Sequence, residues 1–201
     1  ELLNIWTRAP RLEDWETLIR KMNKPDYEVT IAIVGKYVDL TESYKSLNEA
    51  LIHGGIPNRC KVNLKFVDSE TIDANSCNLS LEGVDGVLVP GGFGSRGVEG
   101  KICAARYARE NKIPYLGLCL GMQVMCMELA RHTLQSDEPN SAEFVPQTKD
   151  PVISLMPDQN GIEDMGGTMR LGIYPCVLQP GTKAHMVYQK DMVEERHRTL
   201  D

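Results

Sequence analysis

The residue best suited to nucleophilic chemistry in this chain is the cysteine in the segment GLCLG at 117–121, which has a glycine two residues before it and another two residues after it. In an elbow of the form G-x-Cys-x-G, a strand ends, the chain turns sharply through the cysteine, and a helix begins at once. The glycines leave room for the turn, and the free N–H groups of the helix N-terminus favour a thiolate. The pattern predicts Cys119 as a nucleophile, although a cysteine buried in the core is the alternative interpretation.

A glycine-rich loop, PGGFG at 90–94, follows the preceding predicted strand. Glycines at the end of a strand let backbone N–H groups approach a ligand and point toward a developing oxyanion. Such a loop also fits an ordinary strand-to-helix turn or a phosphate cradle, although it lacks the Lys-Ser/Thr of a P-loop. Beside a cysteine elbow the oxyanion interpretation is favoured, and the N–H groups of Gly92 and Leu120 are the predicted donors.

The elements that must position these two loops alternate between strand and helix. This order predicts an α/β fold of three layers, in which helices cover both faces of a mostly parallel, doubly wound sheet. Ligands of such sheets bind beyond the carboxyl ends of the strands, where both loops fall. Apolar runs predict strands at 29–34, 62–67, 84–89 and 113–118, helical spacing predicts helices at 42–53, 99–110 and 120–131, and a polar loop is expected through 75–78.

The two ends of the chain have a different character from this α/β core. Apolar residues at helical spacing predict an amphipathic helix at 12–22, which either packs on its own domain or belongs to an interdomain linker. The predicted organisation is a linker at 1–28 and one domain at 29–201, incomplete at its C-terminus. Beyond Gln135 the chain is rich in loops, with short strands expected near 151–156, 168–172 and 174–178.

Composition and charge disfavour several classes of function. The 201 residues carry 22 Lys and Arg against 28 Asp and Glu, a net charge of −6, and phosphate binding needs clustered cations. No apolar run has the length of a membrane span or a signal peptide. No two of the six cysteines have the C-x-x-C spacing of a zinc site. We therefore expect a cytoplasmic protein with no nucleic-acid partner, no membrane partner, and no metal or cofactor in this domain.

Several segments together resemble the CTP synthase family, whose members carry a class I glutamine amidotransferase domain. The elbow and the PGGFG loop are shared by class I amidotransferases generally, whereas RGVEGK at 96–101 and GGTMRLG at 166–172 are much narrower. The resemblance covers essentially the whole chain to Arg198, and residues 1–28 match the linker that follows a synthetase domain. It is carried by VGKYVDLTESYKSLNEAL (34–51), PGGFGSRGVEG (90–100), IPYLGLCLGMQ (113–123), NSAEF (140–144), GGTMRLG and VEERHR (193–198).

The resemblance implies a division of labour within a longer protein. The domain in this chain would hydrolyse L-glutamine, because Cys119 would attack the side-chain amide and form a thioester while ammonia leaves. An N-terminal synthetase domain of the same polypeptide would use ATP and magnesium to convert UTP to CTP, in a homotetramer. The resemblance also implies that Gly91, Phe93, Gln123 and Glu143 bind the glutamine, with the Glu143 carboxylate on its α-ammonium group.

The same resemblance assigns an allosteric role to a second group of residues. GTP activates members of this family, and the loop linked to that activation corresponds to Arg96, Gly97 and Glu99. Lys45 is a further candidate for the GTP site. The residues alone are equally compatible with a solvated lid and an exposed helix face.

The family's catalytic base has no counterpart in this sequence. Class I glutaminases use a His oriented by a Glu, usually in a late F-H-P-E stretch, and none occurs here. We assign none of the four histidines, His53, His132, His185 and His197, as that base. The expectation is that the sequence either ends early or lacks a stretch, and that the fragment alone is inactive.

Two other functions stay open at this point. One is a different elbow enzyme, such as a γ-glutamyl hydrolase or another amidotransferase, which the narrow motifs disfavour. The other is a regulatory module that binds glutamine without turning it over, which the missing His–Glu pair favours.

Overall fold

The structure is a computed structural model that describes residues 12–36, 41–154 and 170–199. The chain divides into two compact units, Glu1–Glu128 and Leu129–Asp201, and the division falls inside a helix. The boundary between a linker and a domain at residue 28 stays a prediction.

The first unit is built on a parallel sheet of four strands. Strand β1 (Tyr27–Gly35) pairs with β2 (Cys60–Asp68) on one side and with β3 (Gly86–Val89) on the other. Strand β3 pairs in turn with β4 (Tyr115–Gly117), so the strand order is β2-β1-β3-β4. All four predicted strands are present, with ends that differ by a few residues from the apolar runs.

Helices connect these strands, and the strand order fixes their faces. Crossovers between parallel strands are right-handed, so the helix between β1 and β2 must lie on one face of the sheet, and the helices that precede β3 and β4 must lie on the other. This is the predicted three-layer, doubly wound fold. The helices are α1 (Glu13–Asn23), a 3₁₀ helix (Thr41–Tyr44) that runs into α2 (Lys45–Gly55), α3 (Cys77–Ser80), α4 (Val98–Asn111) and α5 (Leu120–Leu134).

The core of the first unit lies against both faces of the two central strands. Ala32 and Val34 of β1 belong to a cluster with side chains of α4, while the intervening Ile33 is equally buried on the other face. Each fully buried Val, Leu or Ile side chain stabilises the fold by about 1.5–3 kcal/mol. Burial on two faces explains why these strands read as continuous apolar runs rather than as an alternating pattern.

Helix α1 matches the helix predicted at 12–22, and none of its residues is buried. Its apolar side chains keep much of their surface exposed, with Trp15 at 64%, Ile19 at 53% and Met22 at 49%. An apolar stripe of this kind normally packs against another element. The linker assignment of this segment stays a prediction.

The second unit contains two small sheets. Strands β5 (Asn140–Ser141) and β6 (Pro151–Ile153) pair in parallel, and β7 (Arg170–Val177) pairs antiparallel with β8 (Met192–Thr199). Helix α6 (Lys183–Tyr188) lies between β7 and β8 in sequence. The strands predicted near 168–172 and 174–178 are one strand from residue 170, because β8 pairs along its whole length. Residues 155–156 and 168–169 of the predictions lie outside the described residues.

Across the described ranges, we find no helix with the length and apolar character needed to cross a membrane.

Candidate active site

Cys119 lies at the turn between β4 and α5, as the elbow pattern predicts. Its backbone has φ of 52°, in the left-handed region that residues other than glycine seldom adopt, at a cost of about 1–3 kcal/mol. The turn is closed by hydrogen bonds from the N–H of Gly121 to the Leu118 carbonyl at 2.9 Å and from the N–H of Met122 to the Cys119 carbonyl at 2.9 Å. This geometry holds the Cys119 side chain outward, and the residue is exposed.

The two glycines of the elbow are required by close backbone contacts. A Cβ atom on Gly121 would lie 2.1 Å from the carbonyl oxygen of Val89 in β3, and one on Gly117 would lie 2.4 Å from the carbonyl of Gly121. Neither neighbour is a flexible side chain that could move aside. The sharp turn at Cys119 therefore depends on the absence of side chains at both positions.

Tyr115 in β4 is hydrogen-bonded to the elbow, and its place in an apolar run did not indicate this role. Its hydroxyl donates a hydrogen bond of 2.8 Å to the carbonyl of Gly121 in the first turn of α5. Burial raises the pKa of Tyr115, so the hydroxyl keeps its proton and remains a donor. The bond ties the strand that precedes the nucleophile to the helix that follows it.

Replacing Tyr115 by phenylalanine is expected to lower the free energy of unfolding by about 1 kcal/mol, because the hydrogen bond to Gly121 is lost. Urea denaturation of both proteins measures this difference. Tyr107→Phe is the matched control, since Tyr107 is also partly buried and its hydroxyl has no hydrogen bond within the described residues. Equal effects of the two substitutions would show that the bond contributes nothing.

The PGGFG loop lies beside Cys119. A Cβ atom on Gly91 would lie 3.4 Å from the Cβ of Cys119, and one on Gly92 would lie 3.8 Å from the Leu120 side chain. Neither the N–H of Gly92 nor that of Leu120 has an acceptor among the described residues. The two predicted donors thus belong to segments that meet at the nucleophile, and their role as an oxyanion hole stays a prediction.

Lys36 connects this loop to the end of β1. Its Nζ donates a hydrogen bond of 2.5 Å to the carbonyl oxygen of Phe93, while the Phe93 side chain remains 77% exposed. Strands β1 and β3 are the neighbours at which the chain reverses its direction of travel across the sheet. The carboxyl ends of two such strands form the crevice where open α/β sheets bind their ligands.

The other two predicted glutamine contacts lie in different units. Gln123 is in α5 and only 4% exposed, whereas Glu143 is exposed in the second unit. The N–H of Glu143 donates to the Ser141 hydroxyl at 3.2 Å. The structure therefore brings Gly91, Gly92 and Leu120 together with Cys119, and substrate binding by Gln123, Phe93 and Glu143 stays a prediction.

Three of the four predicted GTP-site residues lie at the start of α4. Arg96 donates two hydrogen bonds of 2.7 Å to the carboxylate of Glu70, which lowers the pKa of Glu70. Gly97 is the N-cap with φ of 68°, and Glu99 is exposed in the first turn. Lys45 lies apart from them, as the exposed first residue of α2.

The described histidine side chains have neighbours of their own. His53 of α2 lies 3.7 Å from the carboxylate of Glu49, which is one helical turn away. In the second unit, Nε2 of His185 lies 3.0 Å from Oδ1 of Asp191, and His132 is exposed near the end of α5. The side chain of His197 lies outside the described residues, and no histidine is assigned as the base.

A second cysteine of interest, Cys103, lies in the core, where sequence patterns gave no signal for it. A hydrogen bond from Cys77 and one of 3.4 Å from the Arg106 guanidinium lower the pKa of Cys103 to about 6. The same contact raises the pKa of Cys77. Cys103 is only 8% exposed, whereas Cys119 is exposed, so a reagent in solution reaches Cys119 more easily.

Comparison with known proteins agrees with this geometry. Residues 39–200 match the glutamine amidotransferase class I family. The chain is 57% identical over 198 residues to the CTP synthase of Syntrophus aciditrophicus, 55% identical to that of Geobacter metallireducens, and 51% identical to that of Synechocystis sp.. These alignments cover 98% of this chain but only 36–37% of each relative, so the chain spans little more than a third of their length.

A solved structure gives a closer match to the length of this chain. The Trypanosoma brucei CTPS glutaminase domain with bound acivicin superimposes with a TM-score of 0.75 at 36% identity, over 86% of this chain and 67% of that one. The fold, the elbow and the family match agree with one another. The chain therefore belongs to the class I glutamine amidotransferase family and is homologous to the glutaminase domain of CTP synthase.

Proposed function

We propose that this chain is the part of a longer enzyme that hydrolyses L-glutamine through a thioester on Cys119 and supplies the ammonia to a synthetase domain. The observation that carries the proposal is the exposed Cys119 at φ of 52°, near the N–H groups of Gly92 and Leu120, which have no acceptor among the described residues. A nucleophile and two oxyanion donors are two of the parts that acyl transfer needs, beside an acid–base group.

The chemistry proceeds in two halves. The Cys119 thiolate attacks the side-chain carbonyl carbon of glutamine, and the carbonyl oxygen becomes an oxyanion held by Gly92 and Leu120. Collapse of this intermediate breaks the C–N bond and releases ammonia, which takes up a proton as it leaves, and a glutamyl thioester remains. Attack by water then breaks the C–S bond, releases glutamate and regenerates the thiolate.

The partners of this reaction follow from the length of the relatives. Because the chain spans little more than a third of each CTP synthase, the synthetase domain is proposed to belong to the same polypeptide. That domain would bind ATP and magnesium and convert UTP to CTP with the ammonia received. GTP as an activator near Arg96, Gly97, Glu99 and Lys45, and a homotetrameric assembly, are parts of the same proposal.

Thiol labelling tests the proposed nucleophile and its substrate together. At neutral pH, iodoacetamide is expected to modify Cys119 several times faster than the other five cysteines, because only Cys119 combines exposure with an elbow. Prior incubation with acivicin, which the Trypanosoma relative binds, is expected to protect Cys119 alone. Peptide mass mapping measures both effects.

Cys103 is the most informative comparison in this experiment. Its pKa is lowered to about 6, but burial shields it from the reagent. Faster labelling of Cys103 than of Cys119 would contradict the nucleophile assignment. If acivicin does not change the rate at which Cys119 is labelled, the result would contradict a glutamine site at this cysteine.

A further inference from the structure

Lys101, in the first turns of α4, is a buried lysine whose place in a helix would ordinarily put its charge in solvent. It is 1% exposed and is the largest of the fully buried side chains in the described residues. Its backbone N–H donates to the Gly97 carbonyl at 3.2 Å, and Glu70 is the carboxylate whose charge acts on its ammonium group. Burial of a charge costs free energy, so a function for that charge is expected.

The ammonium group lies close to the predicted oxyanion loop. A Cβ atom on Gly92 would lie 3.9 Å from Nζ of Lys101 and 3.8 Å from the Leu120 side chain, so both side chains approach Gly92 from the direction of its Cβ. The charge therefore lies beside the segments that carry both predicted oxyanion donors. Because the effective dielectric constant around a buried charge is lower than that of bulk water, this positive charge attracts a developing anion more strongly than an exposed charge would.

Two other charged groups act on Lys101, and a third is bonded to one of them. Lys36, after β1, repels it, while Glu70, after β2, attracts it. The Glu70 carboxylate is already bonded to Arg96, which comes before α4. The cluster thus holds three cations and one carboxylate, and its excess positive charge lies next to the Phe93 and Gly92 backbone.

We propose that Lys101 is a positioning residue for glutamine hydrolysis, whose buried ammonium group acts through Gly92 to stabilise the oxyanion of the tetrahedral intermediate. The inference rests on the proposed function. It adds a residue that acts at a distance from the nucleophile, and it gives a function to a charge whose burial costs free energy.

The charge state of Lys101 makes the role dependent on pH. Burial, and then repulsion by Lys36, lower the pKa of Lys101 from the ordinary 10.5 to about 8. The ammonium group is therefore charged at neutral pH, and its support of the oxyanion is lost as the pH rises through about 8.

The lowered pKa of Lys101 also makes the stability of the fold depend on pH, and stability rises with pH where the proposed support of the oxyanion falls. Between about pH 8 and 10.5 the unfolded chain binds more protons at this lysine than the folded chain does. The stability that Lys101 contributes is therefore present above 10.5 and lost as the pH falls through about 8. At neutral pH, the folded protein carries an unfavourable buried charge.

Lys101→Met, in the longer polypeptide that carries this chain, separates a functional role from a structural one. We expect kcat/KM for glutamate release at neutral pH to fall about 10- to 100-fold, less than for loss of a direct oxyanion donor. The alkaline loss of activity near pH 8 should disappear. The melting temperature at neutral pH should rise by several degrees and should match the wild type above pH 10.5.

Lys112→Met, at the exposed end of the same helix, is the matched control and should change none of these quantities. Unchanged kcat/KM and an unchanged alkaline limb in Lys101→Met would overturn the inference alone. A Lys101→Met protein that is less stable than the wild type would also overturn it, because the charge would then be structural. A wild-type protein that releases no glutamate would overturn the proposed function itself.

Discussion

Replacing Cys119 by alanine is expected to lower glutamine hydrolysis by at least about 10⁴-fold, because no thioester can form without the sulfur. Glutamate release by the longer polypeptide, with saturating glutamine, measures the loss. If the proposed synthetase domain is present, synthesis of CTP from added ammonia should be unaffected, since that domain would then receive its nitrogen directly. Loss of both activities would show that Cys119 serves folding or domain coupling rather than chemistry.

Two further substitutions make this experiment specific to the elbow. Cys126→Ala, in the helix α5 that follows the elbow, removes a sulfur whose only described hydrogen bond is to Met122 and should retain activity. Cys119→Gly should be as inactive as Cys119→Ala but more stable by about 1 kcal/mol, because glycine adopts positive φ without strain. A Cys119→Gly protein less stable than Cys119→Ala would contradict the strained backbone.

Replacing Gly121 by alanine is expected to destabilise the fold by about 3 kcal/mol and to inactivate the enzyme. The added methyl group would meet the Val89 carbonyl at 2.1 Å, so α5 and β3 would have to move apart. Moving the first turn of α5 displaces the Leu120 N–H and the Cys119 side chain together. Chemical denaturation and glutamate release measure the two effects.

Gly54→Ala is the matched control for this substitution. Gly54 lies near the end of α2, and a Cβ atom there would have no neighbour within 4 Å. Alanine is the better helix former, so this protein should be unchanged or more stable by about 0.5 kcal/mol. Similar destabilisation by both substitutions would mean that the close approach of Gly121 to β3 is not real.

The parallel sheet and the elbow could be predicted from the sequence because their signals are local. Apolar runs such as the one containing Ile33 have one explanation, burial on both faces. Likewise, GLCLG contains in five residues both the nucleophile and the glycines that its turn requires. The PGGFG loop is placed by the strand that precedes it, and its approach to Cys119 follows from the pairing of β3 with β4.

The predictions that failed depended on partners distant in the sequence. The segment 75–78, predicted as a polar loop, begins a one-turn helix, Cys77–Ser80, since buried Cys77 anchors it to the core. The start of the helix predicted at 42–53 is 3₁₀ rather than α. Strand β8 was not predicted because its charged residues carry no apolar pattern, and it is specified by pairing with β7.

Some residues at the site were also missed, because their roles depend on contacts that only the fold creates. Lys101 is charged and lies in a helix, so its pattern gives no sign that its side chain is buried close to Gly92. Tyr115 reads as an ordinary strand residue until its hydroxyl is seen on the Gly121 carbonyl. The pKa of Cys103 is lowered by contacts with Cys77 and Arg106, and neither lies in a motif with it.

The order of the strands has a consequence for how the polypeptide folds as it is made. Strand β1 is synthesised first, yet its pairing with β3 must wait until Gly86 has been made, and the elbow's own strand joins only through β3. Long-range parallel pairing of this kind slows folding, because a large loop must close before any contact repays its entropy. Until then the apolar edge of β1 toward β3 is open, and this is the interval in which the nascent chain is most exposed to aggregation.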